Sequence, residues 1–151
     1  ILMAPLWSAY SDAYYRNDMK WIKKTIKNQL KIYLLIIVAT ILLIFLANPI
    51  ISLWIGKDFF VSNMLIIAMA LFILVSTWNN IFSYFVNATN QLNIQIKTSI
   101  LAMILNIPLS IIFVRFLEMG VYGIVLATCV SLSFFAIFGS LQTYKILKGK
   151  K

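Results

Sequence analysis

The sequence predicts an all-α fold, a polytopic transmembrane helix bundle with four full spans, the end of a fifth and an interfacial amphipathic helix. Three observations carry that expectation. Hydrophobic residues make up 62% of the 151 positions and charged residues 11%. Soluble domains run near half apolar and a quarter charged, and a soluble domain of this size has too little interior to hide the excess. The apolar residues gather into four runs of membrane-spanning length. The charge gathers as well: RNDMKWIKKTIKNQLK, residues 16–31, holds six of the 13 Lys and Arg.

The elements follow in order. Residues 1–15, ILMAPLWSAYSDAYY, read as the last turns of a span leaving the bilayer. Pro5 is tolerated in a membrane helix, and Trp7, Tyr10, Tyr14 and Tyr15 suit the aromatic belt at the interface. With no initiator Met and no basic segment before the first apolar residues, the start reads as the exit end of a helix begun upstream. The chain is therefore expected to be a C-terminal portion. Residues 16–31 read as a basic helix lying in the headgroup plane. On a helical wheel Met19, Ile22, Ile26, Leu30 and Tyr33 fall within an arc of about 80°, with Lys20, Lys23, Lys24, Lys27 and Lys31 on the adjoining arc. Asp18 suits its N-cap. Lys20, Lys23, Lys24 and Lys27 are the candidate contacts to anionic lipid headgroups.

Four transmembrane helices are expected within residues 32–144. The first run, 32–55, has 24 residues, and at 1.5 Å each they reach about 36 Å, enough for a ~30 Å core with tilt. Asn48-Pro49 is expected to kink or thin its far end. The second run, 59–86, is long at 28 residues and so tilted or partly outside the bilayer. The third, 98–117, carries Arg115 near its end, where the side chain can snorkel. The fourth is 121–144, and residues 145–151 form a basic tail.

Threading follows from charge. Four crossings place residues 16–31, Lys97 and the tail on one side, with eleven of the 13 basic residues, and leave Lys57 and Arg115 on the other. The positive-inside rule makes the rich side cytoplasmic, with a cytoplasmic C-terminus.

Catalytic chemistry is poorly provided. The acids are Asp12, Asp18, Asp58 and Glu118, all outside the four runs; no pair of them shares a helix face, and there is no His. A general acid–base pair, zinc, haem or other cofactor therefore has no obvious home, and the lone Cys129 excludes a disulfide framework. No nucleic-acid motif accompanies the basic charge, so nucleic acid is not expected as a partner. Membrane lipids are.

The spans do hold neutral polarity. Asn79 and Asn80, and Asn106 with Pro108, are candidate cavity-lining residues. Pro108 lacks an N–H and frees the carbonyl of Ile104, and Asn-x-Pro at mid-depth suits a helix beside a hydrated cavity. The plainer alternative is that these amides bond across helices, at about 0.6 kcal/mol each. Gly123, Ala127, Ser131 and Gly139 recur at multiples of four and form a candidate helix-packing stripe. The NAT triplet at Asn87 matches a glycosylation sequon, but on a cytoplasmic face it would be accidental.

The succession APLWSAYSDAYYRNDMKWIKK, NPIISLWIGKDF, FVNATNQLNIQIKTSI and NIPLSIIFVRFLEMGVYGIVLATCVS resembles the C-terminal part of polysaccharide flippases. These are the O-antigen and repeat-unit exporters of the multidrug/oligosaccharidyl-lipid/polysaccharide (MATE-like) superfamily. The resemblance spans nearly the whole chain as a diffuse pattern, with LWIGKDF and GVYGIVLAT its most telling pieces. It implies the end of helix eight, a cytoplasmic connecting helix and helices nine to twelve of a twelve-helix transporter in a bacterial inner membrane. It further implies a lipid-linked oligosaccharide on undecaprenyl pyrophosphate as substrate, and polysaccharide-assembly membrane proteins as partners. The same superfamily offers two alternatives, a peptidoglycan-precursor flippase and a drug or cation antiporter. A non-catalytic membrane scaffold is a further one.

Overall fold

Four helices of the computed structural model are long and apolar enough to cross a bilayer: Met19–Trp54, Asn63–Ala88, Asn93–Phe116 and Val121–Gly149. The structure describes residues 4–57 and 60–149, and all the regular elements among them are helical. A short α1, Ala4–Tyr15, precedes α2, Met19–Trp54. Then come α3, Asn63–Ala88, and α4, Asn93–Ile111, which ends in a π-helical turn at Ile112–Phe116 before α5, Val121–Gly149. Phe59, Asp58, Lys150 and Lys151 fall outside the described residues, as do residues 1–3.

The helix ends are set by local chemistry. Asn17 adopts a left-handed conformation (φ 59°) between α1 and α2, a conformation Asn tolerates better than most residues. Next to it Asp18 caps α2, its carboxylate accepting a hydrogen bond from the Trp21 N–H at 3.0 Å. Asn90 (φ 55°) turns the chain between α3 and α4 in the same way. The far end of α4 is less regular. Pro108 lies inside α4 and cannot donate to the helical ladder. Four residues later the helix widens, and the Leu117 N–H bonds the Ile112 carbonyl five positions back, at 3.1 Å. Glu118 and Gly120 then take left-handed backbone, at φ 52° and 60°.

α3 is the central element. It packs against α1, α2 and α5, and α5 in turn lies between α3 and α4. The densest part of the core sits at one end of the bundle, where Tyr10, Ile22, Ile26, Ile81, Phe82 and Phe85 are buried together. Tyr10 meets Trp21 and Phe85 edge-on, with ring centroids 5.8 and 5.7 Å apart, a favourable aromatic geometry. Away from that end the large side chains point outward, Leu35, Phe45 and Leu53 on α2 and Met103 and Ile107 on α4 among them. In water this surface would be untenable; against lipid tails it is ordinary.

The structure differs from expectation in how the basic stretch is built in. It is not a separate helix: α2 runs unbroken from Met19 to Trp54 and carries both that stretch and the first span. At 36 residues it is about 54 Å long, well beyond a hydrocarbon core. The apolar arc is also covered by protein. Ile22 and Ile26 are buried in the aromatic core, and Met19, Leu30 and Tyr33 pack against it. A lysine-rich helix seated on other helices needs no lipid to shield its apolar side. At Asn48-Pro49 α2 continues through the proline to Trp54, close to the far boundary expected for the first run.

Candidate functional site

The connectivity gathers the basic residues at the end of the bundle where the aromatic core lies. The N-terminal half of α2, the α3–α4 turn and the C-terminal end of α5 are tied together there. The Gln91 amide donates to the Tyr14 hydroxyl at 3.1 Å, and the Gln142 amide donates to the Gln91 carbonyl at 2.7 Å. Tyr10 donates to the Gln29 side-chain oxygen at 2.9 Å, both groups being buried. Ile146 and Leu147 of α5 pack against the same core.

Lys20, Lys23, Lys24 and Lys27 are all exposed around this end. The two acids nearest in sequence are already engaged. Asp12 pairs with Arg16 at 2.9 Å, one turn apart, and Asp18 caps α2. None of these lysines forms an ion pair with a described carboxylate, and together they make a rim of positive charge. Lys23 also lines a recess with Tyr144, Leu147 and Lys148.

The polar residues of the spans are distributed differently. Asn79 is buried and donates to the Leu132 carbonyl of α5 at 3.0 Å. Asn106 donates to the Thr128 hydroxyl of α5 at 3.1 Å, and that hydroxyl donates to the Ile124 carbonyl at 3.0 Å. Both amides therefore fasten a neighbouring helix to α5, within one turn of each other along it. Asn80 and Pro108 are exposed. The four residues are not brought into one cavity: two face α5 and two face outward.

Gly123, Ala127, Ser131 and Gly139 are all buried along α5. Gly123 sits against the α4 terminus, where an added Cβ would lie 3.0 Å from the Met119 Cβ and 3.1 Å from the Phe113 Cβ. At Gly139 an added Cβ would meet the Phe135 ring of the same helix at 2.6 Å. The hydroxyl of Ser131 donates to the Ala127 carbonyl at 2.9 Å, which leaves its flank free to pack.

Sequence reasoning missed a polar clasp at the opposite end. The Asn48 amide donates to the Val61 carbonyl at 3.1 Å and to the Asn63 side-chain oxygen at 3.0 Å, and its own oxygen accepts from the Val61 N–H at 3.2 Å. One side chain thereby pins the connection between α2 and α3. An Asn near the end of an apolar run, with a second Asn near the start of the next, was the available signal.

Among the described residues no group of three His, Cys, Asp or Glu side chains is placed to hold a metal. Long lipid-facing helices with internal amide fastenings and a charged rim define a multi-pass membrane protein. Its family is given by comparison of the whole chain: the model of the lipid II flippase MurJ matches residues 1–151, and the chain belongs to that family. Neither curated proteins nor solved structures gave a significant match. The chain is accordingly part of a lipid-flippase transporter family and not an enzyme. The family is that of a peptidoglycan-precursor flippase, which favours that alternative over the O-antigen exporters its residues resemble.

Proposed function

We propose that this chain is part of a flippase carrying a lipid-linked peptidoglycan precursor, lipid II, across the bacterial inner membrane. The match of all of residues 1–151 to the lipid II flippase family carries the reading. The chemistry of the chain suits it. A lipid-linked precursor pairs a pyrophosphate with a long isoprenoid tail, so its carrier needs cations at the membrane face and apolar walls beside them. The unneutralised lysines and the exposed apolar flanks of α2 and α4 supply both.

Asn80 supports a polar path through the interior. It lies within a span yet is exposed, and an amide facing lipid tails would lose its hydrogen bonds at several kcal/mol. Such a group belongs against water or further protein, and it is the strongest of the candidate cavity residues. In this reading the lysine-rich end is cytoplasmic, as the positive-inside rule requires.

Depletion of the intact gene product tests the proposal. In spheroplasts, an impermeant probe of the precursor's sugar-peptide headgroup should lose signal while the total precursor pool rises. An unchanged exposed pool, together with loss of exported O-antigen or capsule units, would return the function to the polysaccharide branch.

A further inference from the structure

The seam between α2 and α5, floored by α3, has a two-part character. At its outer end Lys23 of α2 and Lys148 and Tyr144 of α5 line a recess of about 320 Å³, with the Lys148 ammonium 5.9 Å from the centre of the Tyr144 ring. Deeper along the same two helices Tyr33, Trp78, Ile137 and Leu141 line a second recess of about 410 Å³. Ten residues of α2 separate the two, which is about 15 Å along the axis.

The two parts differ in what they leave unsatisfied. In the deep part the polar groups are spent within the protein. The Tyr33 hydroxyl donates to the Leu74 carbonyl at 3.3 Å, the Trp78 indole N–H donates to the Ala136 carbonyl at 3.1 Å, and the Ser140 hydroxyl donates to the same carbonyl at 2.8 Å. What remains there is apolar surface, suited to hydrocarbon and not to sugar or water. At the mouth the reverse holds. Two lysines from different helices line one recess, while Asp12 is held by Arg16 and Asp18 caps α2.

From this charge complementarity we infer that the α2–α5 seam is a seat for an anionic phospholipid. The phosphate sits between Lys23 and Lys148 and one acyl chain lies along Tyr33, Trp78 and Ile137. Such a lipid bridges two helices that each pack on α3, so it holds the seam at a fixed width. The seat does not depend on which precursor is transported.

The intact protein in nanodiscs of phosphatidylcholine with increasing phosphatidylglycerol tests the assignment, with retained lipid read by native mass spectrometry. Phosphatidylglycerol should be retained selectively. The Lys23→Gln/Lys148→Gln variant should weaken its retention roughly thirtyfold, as about 1 kcal/mol per lysine implies. The charge-matched Lys31→Gln/Lys97→Gln variant should keep it, and millimolar inorganic phosphate should not displace it. Equal loss in both variants would reduce the effect to diffuse surface charge and overturn the seat. So would equal retention of phosphatidylcholine, displacement by phosphate alone, or preferential retention of an isoprenoid pyrophosphate.

Discussion

Asn48 makes three hydrogen bonds to the connection between α2 and α3, two of them to the backbone of Val61. Replacement by Ala strands the N–H and C=O of Val61 in a partly buried position, at a cost of about 1–3 kcal/mol. Thermal unfolding in detergent should therefore show a clearly lowered midpoint for Asn48→Ala, and an unchanged midpoint would mean the clasp is idle. The turn before α5 offers a test of opposite signs. Gly120 has open space around it but a φ of 60°, so Gly120→Ala should lose about 1 kcal/mol from backbone conformation alone. Glu118 holds a similar φ of 52° with a side chain, so Glu118→Gly should leave stability unchanged or raise it. The same denaturation series reads both, and a loss in Glu118→Gly larger than in Gly120→Ala would contradict the backbone argument. The partners of such residues were only partly legible. Asn79 could be singled out as a polar group in a span, but its acceptor is a backbone carbonyl 53 positions away, and no side-chain pattern marks a carbonyl.

At the scale of the helix, α5 shows what the small residues permit. A methyl group added at Gly123 meets the Phe113 backbone carbon at 3.3 Å as well as two Cβ atoms, none of which can swing aside. At Gly139 the obstacle is the ring of Phe135, a side chain that can rotate, and at Gly149 there is nothing within 4 Å. Substitution by Ala should therefore destabilise in the order Gly123, Gly139, Gly149, with about 1–3 kcal/mol at the first and near zero at the last. A flat ranking would refute close packing of α5 on the α4 terminus. The four spans were legible because a bilayer demands about 20 apolar residues in succession, a constraint strong enough to survive errors at the helix ends. The unbroken course of α2 was legible in principle too: no Gly or Pro occurs between Pro5 and Pro49, and exposed lysines do not end a helix. The covering of its apolar arc was not, because an amphipathic pattern records that a face is buried and is silent on whether lipid or protein buries it.

Among the described residues of the whole molecule, one end carries most of the charge and the other carries Lys57, Arg115 and Glu118, with four hydrophobic helices between. Membership of a flippase superfamily was readable from residue succession, whereas the transported headgroup was not, because apolar helix faces carry no record of it. The account rests on hydrocarbon solvating these helices and on the lysine-rich end facing the cytoplasm. Single cysteines placed at Lys24, Lys97, Lys145, Lys57 and Glu118, in a Cys129→Ser background, measure this most directly with an impermeant maleimide on intact spheroplasts. Labelling at positions 57 and 118 alone, with 24, 97 and 145 reacting only after the membrane is opened, is the predicted result. Labelling of positions 57 and 145 from the same side of the sealed membrane would contradict it.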